Sequence, residues 1–168
     1  MKKTVLQFGL ISAAVATAMM LATIPLLDAL GYQKTDLVGY SAMVVSALLV
    51  FSGIRSYRER SGGRITFGRA FAAGALITLV SSVCQVATFQ LVYFQLVPEF
   101  GDRFAACMVE RTKGSGASPE KIDQRARQAE TLKRLYDNPL SNAAITFVQP
   151  LPLGLAAAAV SAAILRRR

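Results

Sequence analysis

The chain has 168 residues, 53% of them hydrophobic, and a formal net charge of +9. That length corresponds to about one domain. A soluble protein this basic would suggest nucleic acid as a partner, but long uncharged apolar stretches place the chain in a membrane and exclude that class. The chain has no histidine and two cysteines, so a zinc-type ligand set is excluded as well.

Four apolar stretches contain no Asp, Glu, Lys or Arg, and each is at least 18 residues long. They comprise residues 5–27, 37–54, 71–97 and 143–165. Uncharged runs of this length predict membrane-spanning helices rather than helices of a soluble core. The predicted fold is all-α and integral to the membrane. Residues 1–168 form a single four-span domain, with an extracytoplasmic helical insertion at 98–142 between spans three and four.

The first stretch has two interpretations. Lys2 and Lys3, followed by an apolar run and a small-residue segment at 16–18, also fit a cleavable signal peptide. The apolar run continues to Leu27, beyond the usual hydrophobic region of about 7–15 residues, which favours a retained span. A short turn at 31–36 then predicts that spans one and two are antiparallel neighbours. Ser61, Gly62 and Gly63 predict a turn between spans two and three, and Thr66 fits the N-cap position of the third helix.

The charges of the connecting segments are unequal on the two sides of the predicted membrane domain. The termini and the 55–69 loop carry ten basic residues and one acid, whereas the 28–36 loop and the insertion carry nine of each. The positive-inside rule therefore puts both termini and the 55–69 loop in the cytoplasm. We expect this cytoplasmic face to contact anionic headgroups of the lipid bilayer.

Within the insertion, residues 118–136 predict an amphipathic helix. Ser118 is a typical N-cap residue, and Pro119 is typical of the first helical position. Apolar side chains recur three or four positions apart on one face. They are Ile122, Ala126, Ala129 and Leu132. This face is either a docking surface for a partner or a surface that lies on the membrane or packs on the chain's own spans.

Small residues recur every four positions in the third and fourth stretches. The two rows are Gly74, Thr78 and Ser82 in the third stretch and Gly154, Ala158 and Ala162 in the fourth. Small residues allow helix backbones to approach closely in lipid. The rows therefore predict helix packing, either within one bundle or with a membrane-protein partner or a second copy in a homo-oligomer.

The fourth stretch also contains two prolines, Pro150 and Pro152, directly after Gln149. Proline removes a backbone donor and bends or opens a helix. Broken helices form binding sites in transporters, whereas simple kinks are tolerated in many membrane helices. No charged residue lies nearby, which favours a kink.

Motifs for catalysis are absent from the sequence, which has no histidine base, no nucleophile elbow and no phosphate-binding glycine loop. We therefore expect a protein that is not an enzyme and needs no cofactor. The leading hypothesis is an accessory membrane subunit that binds a partner. The alternative is a small oligomeric transporter or channel built around a broken fourth helix.

The order and spacing of several segments resemble a family of bacterial membrane proteins, domain of unknown function 4199. These segments are Arg58, Arg60, Gly62, Gly63 and Ile65 leading into Thr66-Phe67-Gly68 and Ala70-Phe71, then Pro98-Glu99-Phe100, Asp137-Asn138-Pro139-Leu140 and Ala163-Ile164-Leu165-Arg166. The resemblance implies a four-span protein of the bacterial inner membrane with an external helical insertion. It carries over no catalytic or ligand residues.

Overall fold

The computed structural model describes the backbone of residues 2–30 and 32–166 and the side chains of residues 2–22, 41 and 44–166. Its regular elements are helical throughout this part of the chain. They are α1 (Lys2–Leu30), α2 (Tyr32–Arg60), α3 (Phe67–Leu91), α4 (Phe100–Gly114), α5 (Pro119–Asp137), α6 (Pro139–Val148) and α7 (Leu151–Leu165). A short π-helix, Val92–Leu96, continues α3 directly. The all-helical class is confirmed.

Three helical segments among the described residues are long and apolar enough to cross a membrane. They are Lys2–Ala22, Phe67–Leu96 and Pro139–Leu165, and they match the first, third and fourth predicted stretches. The predicted second span, 37–54, lies within α2. The side chains of residues 37–40, 42 and 43 are outside the part that the structure describes. The count of four spans therefore stays a prediction.

Several helices extend beyond the apolar stretches that predicted them. The predicted turn at 31–36 is wrong, because α2 is helical from Tyr32 onward. The third helix begins at Phe67, directly after the predicted N-cap residue Thr66 and four residues before its uncharged stretch. An apolar run marks only the part of a helix that suits lipid, and backbone hydrogen bonding continues past it wherever the side chains reach water.

The predicted turn between α2 and α3 is confirmed. Gly62 and Gly63 have φ angles of 81° and 77°, a left-handed conformation that glycine adopts without a Cβ penalty. The side chain of Arg58 closes the turn, because its Nε donates to the carbonyl of Gly63 over 2.9 Å. Thr66 precedes α3 at the N-cap position, although its side chain makes no capping hydrogen bond.

Helix α3 packs against α1, α2 and α7 and so forms the centre of the bundle. It runs parallel to α1, because the hydroxyl of Ser81 donates to that of Ser12 over 3.3 Å and the hydroxyls of Thr17 and Thr88 lie 3.1 Å apart. One end of the bundle, called the basic end below, contains the start of α1 and the end of α2. At the opposite end, α4 and α5 pack together as a hairpin.

The side chains inside the bundle differ in size and shape from those on its surface. Ile54 and Ile77 are fully buried beside small residues such as Ala70. Large apolar side chains also cover the outside. Those more than half exposed on the spans include Leu6, Val44, Leu48, Val83, Val160 and Ile164. So large an exposed apolar surface is typical of helices that face lipid.

Candidate functional site

The fourth apolar stretch comprises two helical segments that meet at a proline break. Helix α6 ends at Val148, α7 begins at Leu151, and Gln149 and Pro150 form the turn between them. Pro150 and Pro152 carry no N–H, so the carbonyls four residues before them cannot accept the usual helical hydrogen bonds. Those carbonyls belong to Thr146 and Val148. Both residues of the turn keep right-handed helical dihedral angles, so the break fits a kink as well as a broken helix, and the preference for a kink stays a prediction.

The start of this stretch was also misplaced, since α6 begins at Pro139 and not at residue 143. The side chain of Asn138 caps the helix by accepting from the backbone N–H groups of Leu140 and Ser141 at 3.0 and 3.3 Å. One turn later, Asn142 is fully buried. These polar residues lie outside the uncharged apolar run, so hydropathy gave no signal for them.

Asn142 links α6 to the hairpin and to the next turn of its own helix. Its Nδ2 donates to the carbonyl of Tyr136 over 2.9 Å, and its Oδ1 accepts from the hydroxyl of Thr146 over 3.4 Å. A buried amide with both ends engaged is held in a single orientation. Thr146 is thereby positioned beside the interruption.

A cavity of about 240 Å³ lies in the middle of the bundle at the level of the interruption. One water molecule occupies about 30 Å³ of liquid, so the space exceeds a single water several times over. The described polar residues that line the cavity carry only hydroxyl and amide groups. They are Ser12, Ser46, Thr78, Ser81, Ser82, Gln85, Thr146 and Gln149.

The hydroxyl of Ser82 distinguishes this cavity from ordinary packing. Ser82 is 1% exposed and lines the cavity. Its Oγ is the one buried side-chain polar atom without a hydrogen-bond partner in the described part of the chain. Its neighbours are paired, since Thr78 donates to the carbonyl of Gly74 over 3.0 Å and Ser81 donates to Ser12. An unpaired buried hydroxyl is costly. The oxygen itself is not accessible from the cavity, so a polar ligand would relieve that cost only after the Ser82 side chain changes rotamer.

The two rows of small residues meet inside the chain. A Cβ on Gly74 would lie 2.7 Å from the Cβ of Ala158, and a Cβ on Gly154 would collide with the side chain of Thr78. Helices α3 and α7 are therefore antiparallel and in close contact along this line, together with the fully buried Ala162. Within the described structure these residues are covered by each other rather than presented to a partner.

The same contacts define a register that explains Ser82. Gly74 lies against Ala158 and Thr78 against Gly154, so each step of four residues along α3 matches a step of four back along the fourth stretch. Ser82 is the next residue of the α3 row, and Pro150 lies four residues before Gly154. Both residues line the cavity, and proline has no N–H to donate to the hydroxyl.

The apolar face of α5 is turned partly toward the rest of its hairpin. Ala129 is buried, whereas Ile122, Ala126 and Leu132 are half-buried. Helices α4 and α5 pack against each other, and Cys107 is the buried side chain on α4. Half of the predicted docking face is thus occupied by the chain's own helices.

A second cavity of about 200 Å³, called the aromatic chamber below, lies between the end of α3 and the hairpin. Its lining residues are Phe89, Tyr93, Phe100, Gly101, Phe104, Lys133, Tyr136 and Gln149. The hydroxyl of Tyr93 donates to Asp137 over 2.7 Å. Gln149 lines this chamber and the central cavity alike, so the two spaces adjoin at that side chain.

Two titratable groups that α5 contributes to the chamber have raised pKa values. The hydrogen bond to Asp102 raises the pKa of Lys133 and holds the ammonium charged. Burial raises the pKa of Tyr136 and keeps the phenol neutral. The chamber therefore combines aromatic surface with one fixed and already paired cation.

Comparison with known proteins identifies a family and no characterised relative. A family model described as "Protein of unknown function (DUF4199)" matches residues 7–167. No curated protein and no solved structure matches the chain. The resemblance inferred from the sequence motifs is confirmed, and because the family description names no activity, the role of the central cavity rests on its geometry.

Proposed function

We propose that this chain, which belongs to the DUF4199 family of proteins of unknown function, is a membrane protein that binds a small uncharged polar solute in its central cavity and conducts it through the bilayer. The observation that carries the proposal is a cavity lined by hydroxyl and amide side chains at a helix interruption. The role is non-enzymatic.

The lining supports an uncharged ligand. None of the described lining residues is ionisable, so a charged solute would lose its hydration without meeting a counter-charge. Hydroxyl and amide side chains donate and accept hydrogen bonds. Small polyols and small amides present the same groups and fit the chemistry of the wall.

The interruption supports conduction rather than binding alone. Transporters place their sites near the bilayer midplane at discontinuous helices, where backbone carbonyls are released from the helix. Here the prolines release the carbonyls of Thr146 and Val148 at the level of the cavity. Gln149 lies between the central cavity and the aromatic chamber, so movement of this one side chain would open a route toward the hairpin end.

The two surfaces that motivated the partner-binding hypothesis are at least partly covered within the chain itself. The small-residue rows face each other within the bundle, and the α5 face is partly covered by α4. An accessory role therefore stays a prediction with no surface among the described residues that favours it over the cavity.

We also propose a bacterial inner-membrane location with both termini in the cytoplasm and the α4–α5 hairpin outside, on the basis of the charge asymmetry. A variant with both native cysteines replaced and one cysteine introduced at Ser115 should react with an impermeant thiol reagent from outside. A cysteine at Ser61 should react only after the cells are opened. The reverse pattern at either site would overturn this orientation.

The function is tested by flux into liposomes that contain the purified protein. We expect light-scattering relaxation after a jump in glycerol or urea to be faster than in empty liposomes. Gln149→Ala should slow it about tenfold, the factor that corresponds to one lost hydrogen bond of roughly 1.4 kcal/mol. The matched control is Gln95→Ala, an exposed amide outside both cavities, which should leave the rate unchanged.

The alternative outcomes decide between mechanisms. Flux of Na⁺ or K⁺ that exceeds the flux of both solutes would replace the uncharged ligand by a cation bound at the released carbonyls. Equal rates in protein-containing and empty liposomes for solutes and ions would refute conduction. Equal effects of the two glutamine variants would show that the cavity is not the route.

A further inference from the structure

A third cavity lies at the basic end, between the start of α1 and the end of α2. It has a volume of about 410 Å³ and is called the basic cleft below. Its lining residues are Lys2, Lys3, Thr4, Tyr57, Arg60 and Ser61. Among these described residues three are cationic and none is acidic, so this space differs in chemistry from both cavities described above.

The charge of the cleft is not neutralised by the contacts that hold it. Arg60 Nη1 donates to the hydroxyl of Thr4 over 3.3 Å and to the amide oxygen of Gln7 over 3.4 Å. Both acceptors are neutral, so they orient the guanidinium without cancelling its charge. The acid nearest in sequence, Glu59, is engaged by Arg55 over 3.1 Å.

The surface of α1 next to the cleft is amphipathic along the helix axis. Lys2, Leu6 and Leu10 follow each other at four-residue spacing and therefore lie on one face. Leu6 is 55% exposed and Leu10 is 49% exposed. A cationic site thus continues into an exposed apolar stripe, which matches the order of groups in a phospholipid.

From these observations we infer that the basic cleft binds the phosphate headgroup of an anionic phospholipid, whose acyl chains lie along Leu6 and Leu10. Arginine presents a planar fork of donors to a phosphate, and the two lysines add mobile point charges. A basic pocket between membrane helices on the cytoplasmic side is a known form of headgroup site. The inference is independent of solute conduction.

Native mass spectrometry of the purified full chain in detergent tests the inference with phosphatidylglycerol as the probe. We expect one tightly bound phosphatidylglycerol and at least about tenfold weaker binding of phosphatidylcholine. Arg60→Gln should weaken phosphatidylglycerol binding about tenfold. Arg55→Gln removes the same charge from the same helix, but its side chain is paired with Glu59 outside the cleft, so binding should be retained.

A second variant keeps the test valid if Arg60→Gln unfolds. The double variant Lys2→Gln, Lys3→Gln leaves the Arg60 bonds to α1 intact, and it should also lose at least about tenfold in phosphatidylglycerol affinity. Equal losses for Arg55→Gln and Arg60→Gln would show diffuse surface charge and overturn the site. Displacement of the lipid by millimolar inorganic phosphate would identify a soluble phosphate site instead, and equal binding of phosphatidylcholine would refute recognition of charge.

Discussion

The contact between α3 and the fourth stretch has two halves that differ in how much space they leave. Toward the basic end, Gly74 lies against Ala158 and the neighbouring side chains are fully buried. Beyond Gly154 the same pair of elements borders the central cavity together with α1 and α2. The row of small residues continues on α3 to Ser82, whereas its counterpart on the other side ends at Pro150.

In this bundle, therefore, small residues bring two helix backbones close together only where both helices are continuous. In the closed half, backbones approach because no side chain keeps them apart. In the open half, proline replaces the small residue and the helix is interrupted. The polar side chains of α3 are then left around a space rather than against a neighbour.

The largest effect is expected from Gly74→Leu, which places a bulky side chain in the closed half. Since a Cβ alone would lie 2.7 Å from Ala158, overpacking should lower the free energy of unfolding by about 3 kcal/mol. Thermal unfolding in detergent measures this change. The control Gly68→Leu lies on the same helix with nothing within 4 Å of its Cβ position and should unfold like the wild type. Similar losses at both sites would mean that the closed half is not tightly packed.

A smaller loss is expected in the open half, which is held by polar bonds. Asn142→Leu removes the hydrogen bonds to Tyr136 and Thr146, and it should cost about 2 kcal/mol because a buried carbonyl loses its donor. Gln124→Leu, on the exposed side of α5, is the matched control and should change stability by less than about 0.5 kcal/mol. If Asn142→Leu unfolds at the wild-type temperature, close packing rather than hydrogen bonding maintains the open half.

The smallest expected effect on the free energy of unfolding is an increase rather than a decrease. Ser82→Ala removes a buried hydroxyl that has no partner, so without added solute it should raise the free energy of unfolding by about 1 kcal/mol. Ser12→Ala in the same cavity breaks a hydrogen bond with Ser81 and should lower it by about 0.5–1 kcal/mol. Both changes are read from chemical or thermal unfolding in detergent. Equal destabilisation by the two variants would indicate that Ser82 is paired, and the argument for a polar ligand would fail.

Local patterns in the sequence predicted the elements of this fold well. An uncharged apolar run has one backbone solution in lipid, a helix that satisfies its own donors and acceptors, and three such runs are helices long enough to span. Ser118 and Pro119 correctly marked the start of α5, and Gly62 and Gly63 correctly marked a turn. Helix ends were less accurate, because hydropathy records where side chains prefer lipid and does not record where backbone hydrogen bonding stops.

Only some residues of the candidate site could be recognised from local patterns in the sequence. Ser81, Ser82, Gln85 and Gln149 stand out as polar residues within apolar runs, and the prolines mark the interruption. Ser12, Ser46 and Thr146 did not stand out, because a single hydroxyl among small residues is common in membrane helices. Asn142 was missed because the apolar run begins one residue after it.

The sequence by itself determined that the chain is helical and apolar enough for a membrane, that small residues form rows on two helices, and that the fourth stretch is weakened by prolines. Each of these follows from neighbours along one segment. Only the tertiary structure decided that the rows meet each other, that Ser82 and Pro150 border the same space, and that hydroxyls from separate helices surround one cavity. The physical reason is that helix formation depends on local hydrogen bonds, whereas the register between helices depends on the packing of the whole bundle.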